Sequence, residues 1–99
     1  MKKKSKKLTK EKVLELVGDK KDLTLHEKWT HKVFSPNYDE LPTVYLEDLD
    51  EAYGYYDLYI LYGAQNHCAS GTRFCLETRD GDVIDTGSFV GEFVGGFDA

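Results

Sequence analysis

The chain reads as one small α+β domain: a meandering antiparallel sheet of four or five strands, with one short N-terminal helix packed on one face. Three observations lead there. Its 99 residues, 40% of them hydrophobic, support a single core and a single domain. Helical periodicity is confined to residues 13–17, and from residue 23 onward apolar residues recur in steps of two. Prolines, glycines and Asp-Gly then punctuate the chain at short intervals, as turns between strands do. We find no internal repeat and no linker, so residues 1–8 are a flexible lysine-rich arm and residues 9–99 the domain.

Within the domain, Thr9 is placed to cap a short helix, with Glu11 in its first turn and Gly18 as its terminator. Val13, Leu14, Leu16 and Val17 give that helix an apolar stripe. At two to three turns it needs something to pack on. Leu23, Leu25, Trp29, His31 and Val33 alternate with polar residues, which predicts a half-buried strand with an interruption at Glu27. Residues 35–42, bounded by Pro36 and Pro42, form a loop, and Thr43 to Glu47 a second strand. An acidic turn or a single helical turn follows, from Glu47 to Gly54. Tyr55 to Tyr62 is the strongest strand signal, with Tyr56, Leu58, Ile60 and Tyr62 on one face and Tyr55, Asp57, Tyr59 and Leu61 on the other. Gly63 to Thr72 is a polar loop, and Arg73 to Arg79 a strand with Phe74, Leu76 and Thr78 facing the core. Asp80-Gly81 signals a hairpin returning through Val83 to Thr86. The tail from Gly87 mixes Phe89, Phe93 and Phe97 with four glycines and is left as an edge strand or packed coil.

Charge is distributed asymmetrically. All eleven lysines fall in the first 32 residues, which balance to +6, while residues 33–99 balance to −11. Residues 33–72 hold Asp39, Glu40, Glu47, Asp48, Asp50, Glu51 and Asp57 with no Lys or Arg. Like charges so placed repel one another unless they are solvated or partnered. No apolar run reaches the ~20 residues of a membrane span, and the basic N-terminus leads into no export segment. The expectation is a cytoplasmic protein with Cys68 and Cys75 reduced.

Four motifs suggest chemistry, and each is weaker than its signature demands. Val83-Ile84-Asp85-Thr86-Gly87-Ser88 resembles the aspartic-protease motif, but only twelve residues follow Gly87, too few for that family's framework. His67 adjoins Cys68, yet neighbours on an extended chain point apart, so His67 is badly placed to activate the thiol. His67, Cys68, Cys75 and His26 or His31 lack the paired spacing of structural zinc. Asp48-Leu49-Asp50 and Asp80-Gly81-Asp82 lack the sixth-position glycine and twelfth-position glutamate of a calcium loop. No cofactor and no metal are therefore expected.

The resulting expectation is a non-enzymatic binding module or inhibitor, presenting an acidic, tyrosine-rich sheet face to a basic protein partner. Its residues are Tyr45, Glu47, Asp48, Asp50, Glu51, Tyr55, Asp57 and Tyr59: tyrosines for contact area, carboxylates for steering. Small acidic inhibitors from phages and other mobile elements act on nucleic-acid-binding proteins in this style, a likeness of surface chemistry and of no motif. The alternative is nucleic-acid binding through Lys2, Lys3, Lys4, Lys6 and Lys7 of the arm. A thiol enzyme at Cys68 is the third reading, and pairing of oppositely charged ends in a homodimer a further one.

Overall fold

A computed structural model of the chain describes residues 8–66 and 71–88. Within them lie two α-helices, α1 (Lys10–Val17) and α2 (Leu49–Gln65), and four strands. The strands are β1 (His31–Phe34), β2 (Val44–Leu46), β3 (Arg73–Thr78) and β4 (Val83–Ser88). All neighbouring pairs are antiparallel, in the order β2-β1-β3-β4. The α+β class is as expected, but the sheet is no simple meander. β2 and β3 both run against the β1 that separates them, so they are parallel to each other and need a crossover. α2 is that crossover.

α1 forms for the reasons its sequence gives. The Thr9 hydroxyl accepts from the Lys12 amide at 3.1 Å, and Gly18 leaves the helix at φ 56°, a backbone region that favours glycine. Val13 and Val17 are its buried stripe. Its entry is fixed from across the fold. The Leu8 amide donates to Gln65 Oε1 at 2.6 Å, and Asn66 Nδ2 donates to the Leu8 carbonyl at 2.9 Å. Leu8 is half-buried and tied to the end of α2.

The largest correction concerns residues 55–62. They form the middle of α2, not a strand. The helix starts at Asp48, whose carboxylate accepts from the Glu51 amide at 3.0 Å, and Asp50 and Glu51 occupy its positive first turn. Ala52, Tyr56, Tyr59 and Gly63 are buried at helical spacing, over Val33, Val44, Leu46, Phe74 and Leu76 of the sheet. Residues 23–33 depart too. A 3-10 turn, Leu23–Leu25, occupies their start, following another at Gly18–Lys21, and the strand begins only at His31. Asp22 caps the Leu23–Leu25 turn, accepting from the Thr24 amide, and so diverts a stretch whose alternation favoured a strand. The β3–β4 hairpin turns at Asp80-Gly81, with Gly81 at φ 96°, and a bulge at Leu76/Glu77 shifts its register. β4 extends the expected return strand to Ser88, and the remainder of the phenylalanine–glycine tail lies outside the described residues.

Candidate functional site

The register divides the sheet into two chemically different faces. His31, Val33, Val44, Leu46, Phe74, Leu76, Thr78 and Asp85 point to the α2 side. Lys32, Phe34, Tyr45, Arg73, Cys75, Glu77 and Thr86 point to the other.

The residues expected to form one acidic, tyrosine-bearing face are dispersed by the helix. Tyr59 is fully buried beneath α2, where its hydroxyl donates to the Pro42 carbonyl at 2.6 Å. Burial pushes its phenol well above the ordinary tyrosine range. Tyr45 stands on the second sheet face, its ring 5.2 Å from Trp29 in an edge-to-face contact. Tyr55 faces α1 and donates to the Leu16 carbonyl at 3.0 Å. The three tyrosines thus share no surface, because a helical turn rotates neighbours by 100° where a strand would alternate them.

The carboxylates regroup more favourably. Asp48 is committed to the helix cap, and Asp48→Ala is expected to lower stability by about 1 kcal/mol, read as an earlier urea midpoint with unchanged slope. Glu51 accepts from Lys20 at 3.1 Å and holds that ammonium above its ordinary range. Glu47 is exposed just before the helix. Asp50 and Asp57 project from the outer face of α2 at positions seven apart and enter no ion pair among the described residues. Between them on the same face lies Gly54, and one turn beyond Asp57 lies Leu61, 48% exposed.

Beside this stripe, α1 and α2 leave a groove of about 440 Å³ lined by Leu16, Glu51, Gly54, Tyr55 and Leu58. Leu16 is 44% exposed at its wall. Glu15 stands next to it on α1, partly engaged with Lys12 at 3.7 Å. The groove was invisible to the sequence reading because it exists only where residues 49–65 are helical.

The motifs that suggested chemistry have structural explanations where they are described. Asp85 of the Asp-Thr-Gly motif faces α2 and accepts from Tyr53 at 3.3 Å and Tyr56 at 3.4 Å, clasping helix to sheet. Burial first, and then this carboxylate, push both phenols above their ordinary range. A Cβ on Gly87 would stand 2.9 Å from Ile60 Cδ1, so glycine admits the helix at that point. Cys75 is a buried free thiol, 3.5 Å from the Thr86 hydroxyl. His26 sits 3.3 Å from Asp19, and His31 2.7 Å from the Thr30 hydroxyl. Among the described residues no three His, Cys, Asp or Glu side chains gather into a metal site. Nor is any helix among them long and apolar enough to cross a membrane. His67 and Cys68, with the thiol reading they carried, lie outside the described residues, as do the five lysines of the arm. No protein-family model, no curated protein and no solved structure matches the chain.

Proposed function

We propose that the protein is a non-enzymatic binding module whose contact surface is the outer face of α2 together with the groove it forms with α1. The partner is a basic protein segment that lays an apolar side chain beside Leu16, Tyr55 and Leu58 and sets Lys or Arg against Asp50 and Asp57. Basic, amphipathic segments dock on such surfaces through a few apolar anchors, with the charges governing encounter rate and orientation.

Gly54 is the observation that carries this reading. It sits mid-helix, exposed, with helical backbone and no neighbouring heavy atom within 4 Å of where a Cβ would stand. Nothing in the described fold uses its missing side chain, yet glycine there costs about 1 kcal/mol relative to alanine. A partner approaching the helix backbone closely would use it. Solubility alone would call for unpaired Asp50 and Asp57, but not for a glycine between them.

The test follows from that conflict. Gly54→Ala is expected to raise the urea midpoint while weakening capture of a basic protein from nuclease-treated lysate at low salt. Asp50→Asn with Asp57→Asn is expected to slow association with the captured protein roughly tenfold and to flatten its salt dependence. A Gly54→Ala protein that captures the same partner undiminished, or a double variant with unchanged on-rate, overturns the assignment.

A further inference from the structure

The second face of the sheet is the chemical opposite of α2. Along β1, Lys32 Nζ lies over the Phe34 ring at 4.7 Å. At the strand's start, the Arg79 guanidinium lies over the Trp29 ring at 5.0 Å. Tyr45, opposite Lys32 in the register, completes an aromatic row through its edge contact with Trp29. Arg73 projects on the same face from the far end of β3, and Glu77 is its one strand carboxylate. In a chain of net charge −5, this face joins three aromatic rings to three cations.

We propose that this face binds single-stranded nucleic acid without strong sequence preference. Such ligands demand two things at once, rings on which bases stack and cations that follow the phosphates, and this surface interleaves them. Arg79 is pre-set for the task. Its Nη1 donates to the Glu27 carbonyl at 2.7 Å and the Trp29 carbonyl at 3.2 Å, holding the guanidinium over the indole. A neighbouring cavity of about 440 Å³, lined by Leu23, Thr24, Glu27, Trp29 and Arg79, leaves room at that ring. Base stacking contributes ~1–3 kcal/mol per base, so two occupied rings suffice for measurable affinity. The acidic stripe of α2 does not cancel the attraction. It lies on the outer face of the helix, on the other side of the sheet, and around the molecule its field passes through solvent that screens with a length of ~8 Å at physiological salt.

Trp29 is the only tryptophan, so its emission reports on this face alone. The experiment titrates the full chain with a labelled oligothymidylate of about 15 nucleotides, following oligonucleotide anisotropy and Trp29 emission together. Expected are a common saturation curve for both signals and a log-log salt slope of about −2, as three phosphate contacts on a single strand give. Lys32→Gln with Arg73→Gln, both at solvent-facing strand positions, is expected to lower affinity at least tenfold. Glu77→Gln should raise it.

A full-length variant with Lys2, Lys3, Lys4, Lys6 and Lys7 changed to Ser separates this face from the N-terminal arm. Retained quenching in that variant supports the proposal. Anisotropy that rises with no change in Trp29 emission, or that disappears with the arm lysines, overturns it. So does equal quenching by polyglutamate, which would assign the face to an acidic protein. None of these outcomes depends on α2, so failure here leaves the binding module proposed above untouched.

Discussion

Phe74→Ala is expected to lower the unfolding free energy by about 3–5 kcal/mol, a large loss for a single truncation. Phe74 is fully buried on the central strand β3, directly beneath α2. Its ring meets Tyr59 edge-to-face at 5.6 Å and Tyr38 at 6.0 Å, joining the helix to the loop that leads into β2. Removing it opens a cavity where three elements converge, and rigid neighbours refill such space poorly. Domains of this size are stable by only ~5–15 kcal/mol, so the variant should sit near its unfolding threshold at 37 °C. The measurement is urea denaturation of wild type, Phe74→Ala and Phe74→Leu. The leucine variant, keeping most of the volume, should lose much less. A loss below about 1 kcal/mol in the alanine variant would mean that the core is not organised around this ring.

How much of this was legible in the sequence depends on whether one periodicity dominated. α1 was, because Thr9 and Gly18 are local signals and Val13 and Val17 bury a single stripe. β3 and the Asp80-Gly81 hairpin were, because alternation and turn chemistry agree there. α2 was not, and the reason is physical. It packs on the sheet through Ala52, Tyr56 and Tyr59, on α1 through Tyr55, and on β4 through Tyr53 and Ile60. A helix apolar on three sides loses its 3.6-residue signature, and its tyrosines then score as strand. A helical signal was nonetheless present at its N-terminus. Asp48 with Glu51 three residues on is a capping pattern that agrees with a single helical turn there, but by itself it does not carry the helix past Gly54 into the tyrosines.

The site inherited the same error. The number and kind of carboxylates were readable, and so was their lack of local compensation. Their grouping was not, because grouping depends on which period the backbone follows. Read as a strand, residues 55–59 put Tyr55, Asp57 and Tyr59 on one exposed face. As a helix they send Tyr59 into the core, Tyr55 to α1 and Asp57 to water. The aromatic and cationic face drew no notice in the sequence, since Trp29, Lys32, Tyr45, Arg73 and Arg79 come from distant segments. Only strand order brings them together.

The buried tyrosines should make the protein sensitive to alkali. Tyr59, Tyr56 and Tyr53 all hold their protons to higher pH in the folded state than a free phenol does, in each case chiefly because burial disfavours the phenolate. The direction of the stability effect follows from linkage. Below about pH 10 the phenols are protonated in both states, and the contribution is fully present. Above it the unfolded chain ionises while the folded one does not, so the unfolded state binds fewer protons and stability falls as pH rises. For Tyr59, the most deeply buried of the three, the fall approaches about 1.4 kcal/mol per pH unit until its folded-state pKa is reached. Comparison with Tyr59→Phe isolates this effect from the titration of lysines and the other tyrosines. At pH 7 that variant should be the less stable by about 1 kcal/mol, having left the Pro42 carbonyl without its donor. Between pH 10 and 11.5 the two urea-derived stabilities should converge and then cross, because phenylalanine has no proton to lose. Phenolate absorbance should rise for Tyr59 only with unfolding. Parallel decline of the two proteins across that range would show that Tyr59 ionises freely in the folded state, and that its ring is not sealed beneath α2.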